Sequence, residues 1–526
     1  MRFRYVGRDG WPELAWLARL RPGDPVIEVH RGSRVEVTDE WFGEIAWDGR
    51  YEEGRFDATD VVAGSGGLLR HDDAYFVSPG STVDRLQCLS TDSATFVSNS
   101  LVCLLSATGA SPCEPAGGFA GFFRNMLSGL AIKNRELKTS AGPVRLMYFH
   151  NLRWDGRTLA EAEKPFIARD FTTFPAYKGF LDESMESFAA NVGSPARRYP
   201  WRLLAALSSG YDSPTVAAIA RQCGLDEVVL FDHDRNETRD FYQPYQDRSG
   251  ASAQDSGRDI AAALGLRPLS VAHDAWMDGH LPEVPFLAAD AYGLDVFFRG
   301  ADDHLAGTVL LTGFFGGRVW AKDTPDDGGN LTRGNQSGLS LTEYRLTAGF
   351  LHAPMPYWGA RQIGDLVRLS NSRELEPWDV PGGYSRPICR RIVEDSGVPR
   401  DAFGTVKQAA SLFLLDSPTF LSDSSLGNYR TWLENHPEVF GDSRLNRWLG
   451  RQWWLDHALW AALPYDSLIR HTAPDGHSSS LAWRAAWRIR NQGYEIVNRI
   501  PTRHWVFPWA TERAGDVYTL APSTAS

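Results

Sequence analysis

Between Trp41 and Gly109 apolar and polar positions alternate in short runs, GEIAWDGRYEEGRFD, GLLRHDDAYFVSPG and ATFVSNSLVCLLSATG, broken by Asp-Gly and Asp-Asp. A period of two bounded by turn residues predicts antiparallel sheet. VRLMYFHNLRWDGRTLAEAEKP repeats the pattern and predicts a hairpin turning at Trp154-Asp155-Gly156. The texture changes at NVGSPARRYP, Asn191 to Pro200, which marks a boundary between a domain over 1–195 and another over 196–526. Beyond it RLLAALSS, EVVLFDHD, LRPLSVAH and GTVLLTG alternate with helical segments. Short strands apolar on both faces, with helices as crossovers, predict a parallel sheet of about five strands. Gly224 and Gly265 stand where two of the helices should stop. From about Thr342 the pattern is mainly helical, with Trp448, Trp453, Trp454, Trp460, Trp483 and Trp487 expected in the core. Two glycine-rich polar loops, YQDRSGASAQDSG and KDTPDDGGNLTRGNQSG, have the composition of lids or disordered segments.

One junction in the second half carries chemistry. Leu203–Leu207 reads as a strand, Ser208-Ser209-Gly210-Tyr211 as a tight turn, and Asp212 and Ser213 as the cap of a helix with Pro214 in its first turn. A strand, a turn of small residues and a helix N-terminus together form an anion cradle, because backbone N–H groups and the helix dipole converge there. Small side chains let a phosphate approach the backbone. An ordinary strand-to-helix turn with a good cap has the same pattern.

Composition narrows the partners. With 54 Lys and Arg against 65 Asp and Glu the net charge is −11, which argues against a nucleic-acid backbone as the main partner. No uninterrupted apolar run is long enough for a membrane helix, and MRFRYVGRDGWPELAWLARL does not read as a secretory signal. The five cysteines are scattered without CxxC spacing, as expected of reduced residues in a cytoplasmic protein without structural zinc.

Ser208-Ser209-Gly210-Tyr211-Asp212-Ser213 resembles the Ser-Gly-Gly-x-Asp-Ser pyrophosphate loop of the N-type ATP pyrophosphatases, with one glycine replaced by serine. It is not a Walker loop, since no Gly-Lys-Ser/Thr follows. GTVLLTGFFGGRVW resembles the Leu-Ser-Gly-x-Gly-Gly-Asp-Glu strand and loop of asparagine synthetases, and MPYWGA their Pro-Phe-Leu-Asp stretch without its aspartate. YSRPICRRIVEDSGVPRDAFGTVKQAA is similar to their carboxyl-terminal pattern, and ATFVSNSLVCLLSATG to a segment of class II glutaminase domains. The chain thus resembles the asparagine synthetase-like proteins, which include β-lactam synthetases and lasso-peptide cyclases.

The resemblance implies an α/β protein. A degenerate class II glutaminase-like, β-rich N-terminal domain would precede a PP-loop synthetase domain with a parallel sheet and a helical extension. It implies ATP and Mg²⁺ as cofactors, with Ser208, Ser209, Gly210, Tyr211, Asp212, Ser213, Leu230 and Gly313 around the nucleotide and Asp212 on the metal. It implies Lys407 as support for an acyl-adenylate. The reaction expected is ATP-dependent amide formation between small-molecule or peptide carboxylate and amine substrates, in specialised-metabolite or peptide biosynthesis. A homodimer or a pathway partner protein is compatible with it.

Two departures bear on that. Class II glutaminases use an amino-terminal cysteine, whereas here Met1 is followed by Arg2 and the first cysteine is Cys88, so glutamine hydrolysis is not expected. The second metal-binding acid is replaced by Gly317, followed by Arg318. Arg318 as a substitute cation, a ligand from Asp323, Asp326 or Asp327, and a site that has lost catalysis are the three alternatives. The last makes the chain a nucleotide- or partner-binding protein. Glu343 and Arg345 read either as an acid and anion clamp in the acceptor pocket or as a surface pair. Arg390 and Arg391 read as phosphate ligands or as partners of Glu394 and Asp395 along a helix.

Overall fold

The computed structural model describes residues 1–132, 134–232, 257–272, 275–381, 384–404, 421–440 and 504–518, together with 485 and 488. Lys407 and the six tryptophans from Trp448 to Trp487 lie outside the described residues, as do most of the loop YQDRSGASAQDSG and the side chain of Asp232.

Two sheets make up the β-rich N-terminal region. One has the order β1 (Arg2–Gly7), β3 (Val26–Arg31), β2 (Trp16–Leu20), β9 (Thr95–Ser98), β8 (Leu86–Ser90), β11 (Gly142–Met147) and β10 (Glu136–Thr139). The other runs β13 (Leu159–Ala162), β12 (Asn151–Trp154), β7 (Asp73–Val77), β6 (Val62–Arg70), β5 (Trp41–Trp47) and β4 (Glu36–Val37). Only the pairing of β1 with β3 is parallel. Every second residue of the strands points to one face, so Trp16, Ala18 and Leu20 of β2 meet Phe42, Phe76 and Leu152 of the opposite sheet in one buried layer. The expected hairpin is present as β12 and β13, and Asp155 accepts the N–H groups of Arg157 and Thr158 across its turn.

One segment changes type. ATFVSNSLVCLLSATG was expected to alternate throughout, but after β9 it becomes the helix Leu101–Thr108. Ser100 accepts the Cys103 N–H as N-cap, and Gly109 ends the helix in the left-handed region. Leu101 to Leu105 are all buried, so no polar face gave the period of a helix away.

The third sheet lies in the second half and is wholly parallel: β16 (Arg267–Ala272), β15 (Glu227–Asp232), β14 (Arg202–Leu207), β17 (Thr308–Thr312) and β18 (Leu351–Pro354). The chain enters at the centre, builds outward to one edge, then returns to build the other. The loops after β14 and β17 therefore leave in opposite directions, opening a crevice at the carboxyl ends of these neighbours. The apolar core is continuous from the N-terminal sheets through to this sheet and its helices.

Buried charges tie the two halves together. Arg345, on the helix Leu341–Ala348, pairs with Glu44 of β5 at 2.7 Å and with Asp84. Two residues earlier on that helix, Glu343 accepts the Ser100 hydroxyl at 2.6 Å and the Leu101 N–H at 2.7 Å, neutralising the N-terminus of the helix Leu101–Thr108. Neither reading of this pair made from the sequence holds, because both side chains are almost wholly buried in the interior. An irregular-looking segment, LSLTEYRLTAGF, folds as a helix whose polar residues face inward to charged partners.

Candidate functional site

The crevice is built from β14 upward. Leu207 ends the strand and Ser208 to Tyr211 turn the chain into the helix Asp212–Ala220. The turn is held from inside: the Ser208 N–H donates to Ser213 Oγ at 3.0 Å, and the two serine hydroxyls lie 3.0 Å apart. Asp212 and Ser213 are thus not caps but the first helical residues, and Tyr211 at the N-cap provides no side-chain cap. Ser208, Ser209 and Gly210 are half-buried, so the turn remains open to a ligand. Tyr211 points the other way, fully buried, with its hydroxyl accepting from Arg390 at 2.7 Å and its ring 4.8 Å from that of Tyr384.

The facing wall comes from the loop after β17. A Cβ at Gly313 would stand 2.7 Å from Asp212 Cβ, and one at Gly316 would stand 2.5 Å from Asp212 Cγ. Only glycine lets the two loops come this close. Between these glycines Phe315 takes a left-handed backbone, φ 76°, and stacks flat on Tyr357 at 4.3 Å. A non-glycine residue there is strained, and stacking offsets the cost. Gly404 closes the back: its N–H donates to the Ser209 carbonyl at 2.8 Å, and a Cβ on it would reach within 2.4 Å of the Tyr211 ring.

The residue that sequence reasoning missed is Arg386. Its Nη1 donates to Asp212 Oδ1, and Nη2 lies 3.1 Å from where a Cβ of residue 317 would be. The guanidinium carbon stands 5.3 Å from the Tyr384 ring centre and 5.9 Å from that of Tyr211. Burial alone would favour a neutral guanidinium, but the Asp212 carboxylate outweighs it and holds Arg386 charged. Arg386 is also the N-cap of the helix Pro387–Asp395, where a cation meets the positive end of the helix dipole. An arginine placed directly before a helix-starting proline was the available signal, because that adverse position requires a stronger partner elsewhere.

The other candidates separate. Leu230 is buried on β15 in register with Leu207, level with the start of the turn. Arg318 does not face Asp212: its Nε donates to the Thr332 carbonyl at 3.0 Å, within the loop beyond the crevice. Asp327 accepts the Thr332 N–H at 2.7 Å and Asp326 the Gly328 N–H at 3.0 Å, which fixes that loop's turns. Arg390 pairs with Glu394 as well as Tyr211, and Arg391 with Glu374 and Asp395, so both make the pairings expected along the helix. Cys389, beneath the site, is wholly buried, and burial and then the Asp212 charge push its thiol far up, leaving no thiolate nucleophile.

These residues do not fit a two-carboxylate magnesium site. Asp212 already holds a cation, Gly317 offers no side-chain carboxylate, and among the described residues no three His, Cys, Asp or Glu side chains gather closely enough to bind a metal. They do fit a phosphate group, which needs an open turn of small residues, a helix N-terminus and a guanidinium. A separate hollow at the far end of the same helix, lined by Asp182, Glu186, Gln222 and Cys223, is acidic and unsuited to anions.

No family model matches the chain, and no curated protein matches it in sequence. No helix among the described residues is long and apolar enough to cross a membrane.

Proposed function

We propose that the chain is an ATP-dependent amide-forming synthetase of the asparagine synthetase-like kind. One observation carries the reading: the turn resembling a pyrophosphate loop lies at the point where the parallel sheet reverses its winding, and the glycines after β17 close onto its aspartate. A substrate carboxylate oxygen attacks the α-phosphorus of ATP, and the bond to the β-phosphate breaks to release pyrophosphate. The acyl-adenylate then loses AMP to an amine, whose nitrogen bonds the acyl carbon and gives up its proton. The cradle at Ser208–Ser213 holds the departing pyrophosphate, and Arg386 balances the charge that grows on it. The resemblance gives Lys407 the acyl group to stabilise.

The N-terminal sheets are assigned as a glutaminase-like scaffold without glutamine hydrolysis. Cys88 and Cys103 are buried, and burial raises both thiols above their ordinary value. Gly317 in place of an acid favours a second reading, a protein that binds nucleotide and does not turn it over. Exchange of labelled pyrophosphate into ATP, screened across amino, hydroxy and peptide acids, separates them. The first reading predicts acid-dependent exchange that falls at least about a hundredfold in Lys407→Ala if that lysine supports the adenylate. Nucleotide binding without exchange for any acid supports the second.

A further inference from the structure

We infer that Arg386 takes the place of the metal ion, so that this site binds the polyphosphate of its nucleotide without a divalent cation. The inference rests on the proposed nucleotide site and concerns how that site meets the ligand's charge.

The Asp212 carboxylate pairs with the Arg386 guanidinium, so a fixed positive charge stands at the aspartate that the resemblance gives to magnesium. That charge can meet a phosphate without a bound cation.

The space is coupled in the same way. Arg386 Nη2 lies 3.1 Å from the Cβ position of residue 317, so any side chain there would press on the guanidinium. The glycine that removes a metal ligand also makes room for the arginine. Arg386 is held by Tyr384 and Tyr211 beside its guanidinium, which limits the rotamer entropy it loses on gripping an anion.

Among the described residues only Asp212 accepts a hydrogen bond from Arg386, through Nη1. We assign the other edge of the guanidinium, Nε and Nη2, to the phosphate oxygens, whose geometry it matches. Asp212 then acts as a positioning residue for Arg386 and not as a metal ligand.

The test is calorimetric titration of α,β-methylene-ATP into the full chain, once with magnesium and once with EDTA. It includes wild type, Arg386→Gln and Arg386→Lys, with unfolding midpoints measured in parallel. The expected result is wild-type affinity that differs less than about threefold between the two buffers. Arg386→Gln should lose at least about tenfold without a matching loss of stability, and Arg386→Lys should recover part of it. Wild-type binding that appears only with magnesium overturns the inference and leaves the nucleotide site standing, as does Arg386→Gln binding as tightly as wild type. No binding in either buffer overturns both. If Arg386→Gln does not fold, the wild-type comparison between buffers decides alone.

Discussion

Arg345→Met is expected to cost about 3–5 kcal/mol of stability, read from the shift of the urea unfolding transition. Arg345 is 1% exposed, with Glu44 on two of its nitrogens at 2.7 and 3.2 Å and Asp84 on a third. Methionine fills a similar volume but leaves two carboxylates buried without their cation. Glu44 keeps only Ser65 at 2.7 Å and Asn99 at 3.2 Å. The loss should depend on pH. In the wild type burial pushes the Glu44 carboxyl above its ordinary value, and Arg345 opposes that. Without Arg345 the folded-state pKa rises further. A carboxyl whose folded pKa exceeds its unfolded one stabilises fully below the unfolded pKa and loses that contribution as pH rises through the folded one. The deficit of Arg345→Met should therefore be smallest in acid and grow toward neutral pH. A deficit that is flat with pH and below about 1 kcal/mol would mean the cluster is solvated and does not fasten the two halves.

Gly316→Ala should weaken nucleotide binding by at least about tenfold while the fold survives. The new Cβ would stand 2.5 Å from Asp212 Cγ and 2.6 Å from Oδ1, inside any real contact distance. Asp212 must move, and the Asp212–Arg386 pair moves with it. Overpacking of this kind costs about 1–3 kcal/mol of stability, within what a chain of this size tolerates. Gly427→Ala is the control, because nothing lies within 4 Å of its Cβ position on the helix Asp423–Asn435. Equal affinities in the two variants, measured by equilibrium titration, would show that the closeness of the two loops has no part in binding.

Much of the second half is legible in its sequence because buried parallel strands are short, apolar and separated by glycine stops. Within RLLAALSS, EVVLFDHD, LRPLSVAH and GTVLLTG lie the strands Arg202–Leu207, Glu227–Asp232, Arg267–Ala272 and Thr308–Thr312. LHAP does not announce itself: four residues centred on a histidine carry no period, yet β18 is there, with His352 bonded to Thr312 at 2.9 Å. In the first half β1 to β4 precede the point where alternation became evident. β1 lies at a sheet edge with its residues exposed or half-buried, so selection for an apolar face is weak. The turn at Ser208–Ser213 was legible because its chemistry is local. Its cation was not, because Arg386 reaches Asp212 across 174 positions of sequence. Arg318 stood beside the missing acid in the sequence and took its place in the expectation, but the turn of the Gly316–Val319 helix aims it at Thr332 instead. Glu343 was misplaced for a related reason, since a carboxylate that caps a distant helix looks in sequence like one exposed to substrate.

The most direct test of the account is a crystal structure of the chain soaked with α,β-methylene-ATP. The account predicts the phosphates at the turn Ser208–Ser213, between it and the loop Gly313–Gly317, with the Arg386 guanidinium on a phosphate oxygen. Phosphates bound elsewhere on the chain, or a turn that stays empty in crystals soaked at saturating nucleotide, would contradict it.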